Sequence, residues 1–201
     1  MGVSTNPPLG QTPSQTVGPY FAYGLTPGQY LYPYRSLFDG TLADPRTPGT
    51  PILIVGQVLD GESRPIDDAM IEISQADSAG VRIRSPDDVA ASGFRGFGRV
   101  GTGTDRERRF VFRTIKPGQV EPRLAPFVDV LVFMRGLLSH AYTRLYFDDE
   151  AAANDRDPVL ASVPPQRRDT LIARREPAPG AIVYRFDIRM QGPQETVFFD
   201  V

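Results

Sequence analysis

Apolar residues recur at every second position in several short segments of this chain, and this spacing restricts its fold more than any other feature. In Arg109–Arg113, Phe110 and Phe112 alternate with less apolar neighbours, and Ile182–Met190 repeats the pattern over a longer stretch. Successive side chains of a β-strand point to opposite faces. The period of two therefore predicts strands that have one face in a hydrophobic core.

Two further apolar segments predict a strand pair early in the chain. Ile52–Leu59 ends at the turn residues Asp60-Gly61, and Ala69–Ser74 follows after Arg64-Pro65. A turn between two short apolar segments favours a hairpin. We therefore expect these segments to form a hairpin or to lie close together.

The remaining segments complete an all-β prediction. Phe127–Met134 is apolar except at Asp129, as expected of a strand covered on both faces, and Tyr142–Phe147 alternates. Gln166–Arg175 follows two prolines, which favours a short helix. The fold class predicted is an antiparallel β-sandwich with an extended N-terminal arm and one or two short helices.

The distribution of proline and glycine predicts the domain organisation. Residues 1–50 hold much of both, and five of the eight tyrosines lie between Tyr20 and Tyr34. This composition predicts an extended arm at residues 1–50 and a β-sandwich domain at residues 51–201. Met1–Gln15 has no basic start or apolar run, and no segment approaches the roughly 20 apolar residues of a membrane helix. A cytoplasmic protein without a membrane partner is the expectation.

Charge and cysteine content exclude other classes of protein. Lys and Arg together number 22 against 24 Asp and Glu, so the net charge of -2 gives no general attraction to nucleic acid. Cysteine is absent, which rules out disulfides and thiolate metal sites.

Individual motifs give little sign of catalysis by this chain alone. His140 is the only histidine, whereas typical catalytic zinc sites and the iron facial triad use at least one or two histidines together with carboxylates or thiolates, so a local hydrogen-bonding role is favoured. The acidic run Asp148–Glu150 lacks the spacing of a calcium loop and is predicted to cap the helix that follows. Gly93–Arg99 lacks the features of a phosphate-binding loop and is predicted to be a flexible turn leading into a strand, with Phe94 and Phe97 as packing anchors.

Arg135 differs from the other charged residues because it follows the apolar strand that begins at Phe127. A guanidinium at the end of a buried strand requires an anion, and it can hold a carboxylate with two parallel hydrogen bonds. The partner is either one of the chain's own carboxylates or the carboxylate of a ligand.

Several phrases, taken together in their order and spacing, resemble the intradiol ring-cleaving dioxygenases. The resemblance covers nearly the whole chain, and it implies a β-sandwich whose catalytic members hold non-haem ferric iron with two tyrosinates and two histidines. The phrases are Thr12–Tyr20, Gln75–Asp77, Phe112–Gly118, Thr143–Glu150, Tyr184–Ile188 and Thr196–Asp200.

The resemblance also indicates which residues replace the iron ligands. The family's His-x-His pair corresponds to Phe127 and Asp129, and Val120 stands about where a ligand tyrosine is expected. No tyrosine lies between Tyr34 and Tyr142, so the other tyrosinate is absent as well. The resemblance therefore implies an iron-free subunit with no catalytic or metal-binding residue of its own, and Fe(III) held by a homologous β subunit.

For this chain the resemblance implies a role in the substrate pocket. The substrate-binding residues carried over are Thr16, Gly18, Pro19 and Arg135, of which Arg135 would attract the substrate carboxylate. The expected reaction is intradiol cleavage of 3,4-dihydroxybenzoate with O2 to 3-carboxy-cis,cis-muconate, by αβ pairs assembled into a larger oligomer. The alternative is a non-catalytic binding or assembly protein that retains the fold.

Overall fold

The computed structural model describes residues 18–200, with side chains from Ala22 onward. Short strands separated by turns account for most of its regular structure, which confirms the all-β prediction. The strands are β1 (Pro51–Leu59), β2 (Met70–Gln75), β3 (Phe97–Gly101), β4 (Arg109–Ile115), β5 (Phe127–Phe133), β6 (Ala141–Phe147), β7 (Ile172–Glu176), β8 (Val183–Arg185) and β9 (Ile188–Arg189).

The strands form one curled sheet in the order β3-β2-β5-β6-β7-β8-β1-β4, with β9 beside β1. Five strand pairs are antiparallel, but β6 with β7, β1 with β8 and β1 with β9 are parallel, so the sheet is mixed. Residues from the β1–β4 end and the β2–β5 region share one buried cluster, which includes Ile54, Phe112, Ile73 and Val130. The sheet thus folds over on itself as a sandwich.

The predicted hairpin of the first two apolar segments is wrong. A turn after β1 does reverse the chain, and Leu59 bridges to Pro65. However, β2 then pairs with β3 and β5, whereas β1 pairs with β4, β8 and β9. The chain crosses between the two layers because both apolar segments are needed to enclose the core.

Other strand predictions are confirmed, with different boundaries. Phe110 and Phe112 are buried in β4, and Tyr184, Phe186 and Ile188 are buried along β8 and β9. The expected helix at residues 166–175 is instead a 3-10 helix at Pro165–Leu171 followed directly by β7.

One face of β5 is only partly covered, contrary to expectation. Val128, Val130 and Val132 are buried in the main cluster, while Asp129 and Leu131 on the other face are half-buried. This second face carries the position at which the resemblance expects a metal ligand.

The helices within residues 18–200 are short, and none has the length and apolar character needed to span a bilayer. Between residues 18 and 50, α1 is followed by a 3-10 turn, and Leu42 is fully buried in the main core. The division of the chain at residue 50 stays a prediction. The α-helices are α1 (Gly18–Leu25), α2 (Pro86–Ser92), α3 (Ala151–Asn154) and α4 (Pro158–Ser162).

Lys116, the only lysine of the chain, lies just after β4 and is largely buried. Its Nζ atom lies 2.8 Å from Asp149 Oδ2 and 2.7 Å from Glu150 Oε1. It also lies over the rings of Phe147 and Tyr184, 5.5 and 5.9 Å from their centroids. The expectation that the acidic run caps α3 is wrong, because Glu150 at the N-cap position makes no side-chain capping bond. Asp149 and Glu150 instead neutralise a largely buried ammonium group.

Lys116→Met should lower the free energy of unfolding by about 1.5–3 kcal/mol, the usual contribution of hydrogen bonds to charged groups. Two carboxylates would lose their cation while keeping one another as neighbours. Urea denaturation of the purified chain at pH 7 measures the change.

The matched control is Arg64→Met. Arg64 pairs with Asp60 and Glu62 but its side chain is 69% exposed, so a loss below about 1 kcal/mol is expected.

Burial raises the pKa of Asp149, but hydrogen bonds from Lys116 and Tyr184 lower it overall. The contribution of Asp149 to stability is therefore complete at pH values above its pKa in the unfolded chain, about 3.9. It is lost as the pH falls through the lower pKa that Asp149 has in the folded protein. A loss of unfolding free energy in Lys116→Met no larger than that in Arg64→Met would contradict this account. So would a difference in unfolding free energy between Lys116→Met and the wild type that does not become smaller as the pH is lowered.

Candidate functional site

A cleft of about 390 Å³ lies at the end of β5, where separated parts of the chain meet. The N-terminal segment, the loop before β2, and the two residues after β5 all contribute. Among the residues that line it are Tyr23, Gln29, Tyr30, Asp68, Met134 and Arg135.

Arg135 donates from Nε to Oδ2 of Asp68 within this cleft. In the antiparallel ladder of β2 and β5, Met70 faces Phe133, so the same register continued by two residues brings Asp68 opposite Arg135. The side chain of Asp68 is 18% exposed and that of Arg135 is 66% exposed. The hydrogen bond to Asp68 raises the pKa of Arg135. One of the two expectations for Arg135, a pair with the chain's own carboxylate, is thus confirmed, while most of its side chain remains exposed.

Tyrosines of the N-terminal segment give the cleft an aromatic side. The rings of Tyr23 and Tyr30 meet edge to face with centroids 4.7 Å apart. Gln29 fixes this segment to the sandwich: its Nε2 donates to the carbonyl of Asp67 at 3.1 Å, and its Oε1 accepts from the amide of Gly103 at 3.3 Å. Burial raises the pKa of Tyr30, and the charge of Asp68 adds to this effect. A neutral phenol therefore lies near the ion pair.

The structure places only some of the predicted substrate-binding residues at the cleft. Arg135 lies in the cleft, and Gly18 and Pro19 are the first residues of α1, the helix whose Ala22 also lines the cleft. Thr16 lies outside the described residues. Sequence reasoning missed Asp68 and Tyr30, since their place in the cleft depends on strand register and on the docking of the N-terminal segment. The role of all four predicted residues in binding stays a prediction.

A second polar cluster lies in the middle of β5, around Asp129. Oδ2 of Asp129 accepts from Arg82 at 2.6 Å, and Oδ1 accepts from the hydroxyl of Tyr142 at 2.6 Å. Arg144 lies 3.5 Å from Oδ1 and donates to the Tyr142 hydroxyl at 3.0 Å. Burial and the bond to Asp129 raise the pKa of Tyr142, so it is a neutral hydrogen-bond donor at pH 7. One carboxylate is thus neutralised by two guanidinium groups.

Aromatic rings enclose this cluster. The guanidinium of Arg144 lies 4.1 Å from the centroid of the Phe127 ring, and that of Arg82 lies 5.5 Å from it. Such stacking stabilises a cation that is withdrawn from water. Burial opposes the charge of Arg144, yet hydrogen bonds to Tyr142 and Tyr146 raise its pKa. Arg144 therefore remains charged in this setting.

Two other motifs have structural roles. His140 is exposed beside Phe133, with ring centroids 5.7 Å apart. Gly93 ends α2 with a φ of 70°, and Phe94 is fully buried in the main core. Phe97 begins β3 and meets Phe38 edge to face at 4.7 Å. The predicted turn leading into a strand is confirmed, and Phe94 is a packing anchor in the core, whereas Phe97 is only half-buried and packs against Phe38.

Comparison with known proteins now identifies the family. A family model described as "Dioxygenase" matches residues 35–134. The chain is 61% identical over 194 residues to the protocatechuate 3,4-dioxygenase alpha chain of Burkholderia cepacia, covering 96% of this chain and 98% of that one. The chain belongs to the intradiol dioxygenase family.

Two further proteins that the chain resembles are more distant. The protocatechuate 3,4-dioxygenase beta chain of Burkholderia cepacia is 30% identical over 161 residues, covering 74% of this chain and 67% of that one. A solved dioxygenase domain from Streptomyces sp. SirexAA-E, part of a fusion with a carbohydrate-binding protein, shares the fold. It is 22% identical with a TM-score of 0.58, covering 94% of this chain and 100% of that one.

The residues that stand where the resemblance expects the family's iron ligands do not suit ferric iron. Val120 packs against the apolar cluster that contains Phe127, and Asp129 is already bound to two arginines. Neither hydrocarbon side chain can donate to a metal, and one neutralised carboxylate is a poor substitute for the mixed oxygen and nitrogen donors that iron uses. Within residues 18–200 no group of three or more His, Cys, Asp or Glu side chains is placed to hold a metal ion.

Asp129→Ala should lower the free energy of unfolding by about 1.5–3 kcal/mol, because both guanidinium groups and the Tyr142 hydroxyl would lose their shared acceptor. Urea denaturation of the chain measures the effect. Asp169→Ala is the control, since Asp169 pairs with Arg174 at 3.1 Å but is 85% exposed. That change should cost less than about 1 kcal/mol. Equal losses would show that the Asp129 cluster contributes no more than a surface ion pair.

Proposed function

We propose that this chain is the iron-free α subunit of a cytoplasmic, heteromeric protocatechuate 3,4-dioxygenase. The enzyme cleaves the bond between the two hydroxyl-bearing carbons of 3,4-dihydroxybenzoate with O2 and yields 3-carboxy-cis,cis-muconate. The observation that carries the proposal is the 61% identity to an alpha chain across nearly the full length of both proteins, against 30% to a beta chain.

The contacts around β5 support a division of labour between two chains. In this chain the Asp129 carboxylate is engaged by Arg82 and Arg144, and Phe127 stacks on Arg144. We therefore assign the iron to a homologous β subunit, where it activates the catechol towards O2. The present chain binds and orients the substrate and gives the cavity its positive charge. It does so as one member of αβ pairs that assemble into a larger oligomer.

Arg135 supplies the positive charge for this role. Its Nε is engaged by Asp68, so the two terminal amino groups remain to grip a carboxylate as a planar fork. Thr16, Gly18 and Pro19 are the other residues to which we assign substrate binding, and the last two begin α1. Glycine at the second of these positions lets the backbone approach an aromatic ring closely.

Co-expression with a beta chain tests the proposal directly. The assembled complex should contain iron and cleave protocatechuate, while this chain alone should do neither. Mass spectrometric metal analysis and oxygen uptake measure the two properties, with the beta chain alone as the control. Iron and activity in the solitary chain would overturn the proposal, and a beta chain whose activity is unaffected by this chain would favour a non-catalytic binding or assembly protein.

Arg135→Ala in the assembled enzyme should raise the KM for protocatechuate more than that for catechol, which lacks the carboxylate. The expected loss in kcat/KM for protocatechuate corresponds to about 1.5–3 kcal/mol, the range for a hydrogen bond to a charged group. Steady-state oxygen uptake with both substrates gives the comparison. Equal effects on the two substrates would count against a carboxylate contact.

A further inference from the structure

Asp68 is the one described residue that the structure bonds to the Arg135 guanidinium. The two residues face each other at the end of the β2–β5 ladder, where Met70 faces Phe133. Directly opposed charges of unlike sign on neighbouring strands attract. The pairing therefore follows from strand register and is not an accident of two flexible surface chains.

The two partners differ in how firmly they are held. Asp68 is mostly buried, whereas Arg135 is 66% exposed and precedes Gly136, whose φ of 90° lies in the left-handed region. A long exposed arginine side chain samples many rotamers, and ordering it costs free energy. The bond to a nearly fixed carboxylate reduces that freedom before any ligand arrives.

The atom engaged also matters. A bond at Nε restrains the plane of the guanidinium and does not use the terminal amino groups. These are the groups that grip a carboxylate in the proposed reaction. A carboxylate so near the binding group also opposes a second carboxylate, so Asp68 has two effects of opposite sign on substrate affinity.

We propose that Asp68 is a positioning residue for Arg135 and that its orienting effect outweighs its repulsion of the substrate carboxylate. This inference rests on the proposed function of the α subunit. It adds the requirement that recognition of a carboxylated catechol depends on a buried acid that does not itself touch the substrate.

The test uses complexes of Asp68→Asn and Asp68→Ala chains with a wild-type beta chain. The KM for protocatechuate should rise about threefold in Asp68→Asn, which keeps an acceptor oxygen, and about tenfold in Asp68→Ala, which removes it. The KM for catechol should change less than about twofold in both, because catechol has no carboxylate for Arg135 to grip. A smaller rise in the KM for protocatechuate in Asp68→Asn than in Asp68→Ala would show that the acceptor oxygen orients Arg135. A general loss of structure would not produce the difference between the two substrates.

Asp67→Asn is the matched control, since it removes the same charge one residue away. The Asp67 side chain is 57% exposed and lies 3.8 Å from Arg108. Its effect on the KM for protocatechuate should be smaller than that of Asp68→Asn.

A KM for protocatechuate at or below the wild-type value in Asp68→Asn would overturn the proposal, because repulsion would then dominate. Equal losses for protocatechuate and catechol would also overturn it, by showing a structural role alone. If Asp68→Ala fails to assemble, the Asp68→Asn complex decides by the same criteria. An inactive wild-type complex would overturn the proposed function itself, and so is distinguishable from failure of the Asp68 role.

Discussion

The pairing of β5 with β2 on one side and β6 on the other determines both polar clusters of this protein. Its ladder with β2 carries the chain into the Arg135–Asp68 pair at one end. Its ladder with β6 sets Asp129 opposite Arg144 in the middle. The buried valines between them anchor the strand in the core, so neither cluster can shift without disturbing the apolar packing.

The Asp129 cluster places charge and bulk at a position where the resemblance expects a metal ligand. A metal ion and its ligands fill space and balance charge, and residues that stand in such a position must do the same. Here Arg82 and Arg144 supply the positive charge, while Phe127 supplies bulk and a ring for the cations to stack on. The result is a network in which each group depends on the others, and a single histidine introduced at Asp129 would meet two guanidinium groups in place of an anion.

Local patterns in the sequence predict the strands well, whereas their partners depend on the whole chain. Alternation alone identifies β4 and the β8–β9 segment, because a strand with one buried face needs an apolar residue at every second position. The supposed hairpin of β1 and β2 fails because pairing is decided by which layers must close the core. Likewise, the sequence predicts that the acidic run at residue 148 caps a helix. In the structure two of its carboxylates pair instead with Lys116, which lies just after β4. The place of Asp68 opposite Arg135 could not be predicted locally, because it depends on the register between β2 and β5.

The position of Lys116 has a practical consequence for chemical study of this protein. Burial would lower the pKa of its ammonium, but hydrogen bonds to Asp149 and Glu150 raise it, so the unprotonated amine is scarce at neutral pH. Acylating reagents and cross-linkers directed at lysine require that form, and the chain offers no second lysine. Footprinting of its surface is therefore better served by probes directed at carboxylates, arginines or tyrosines than by lysine reagents.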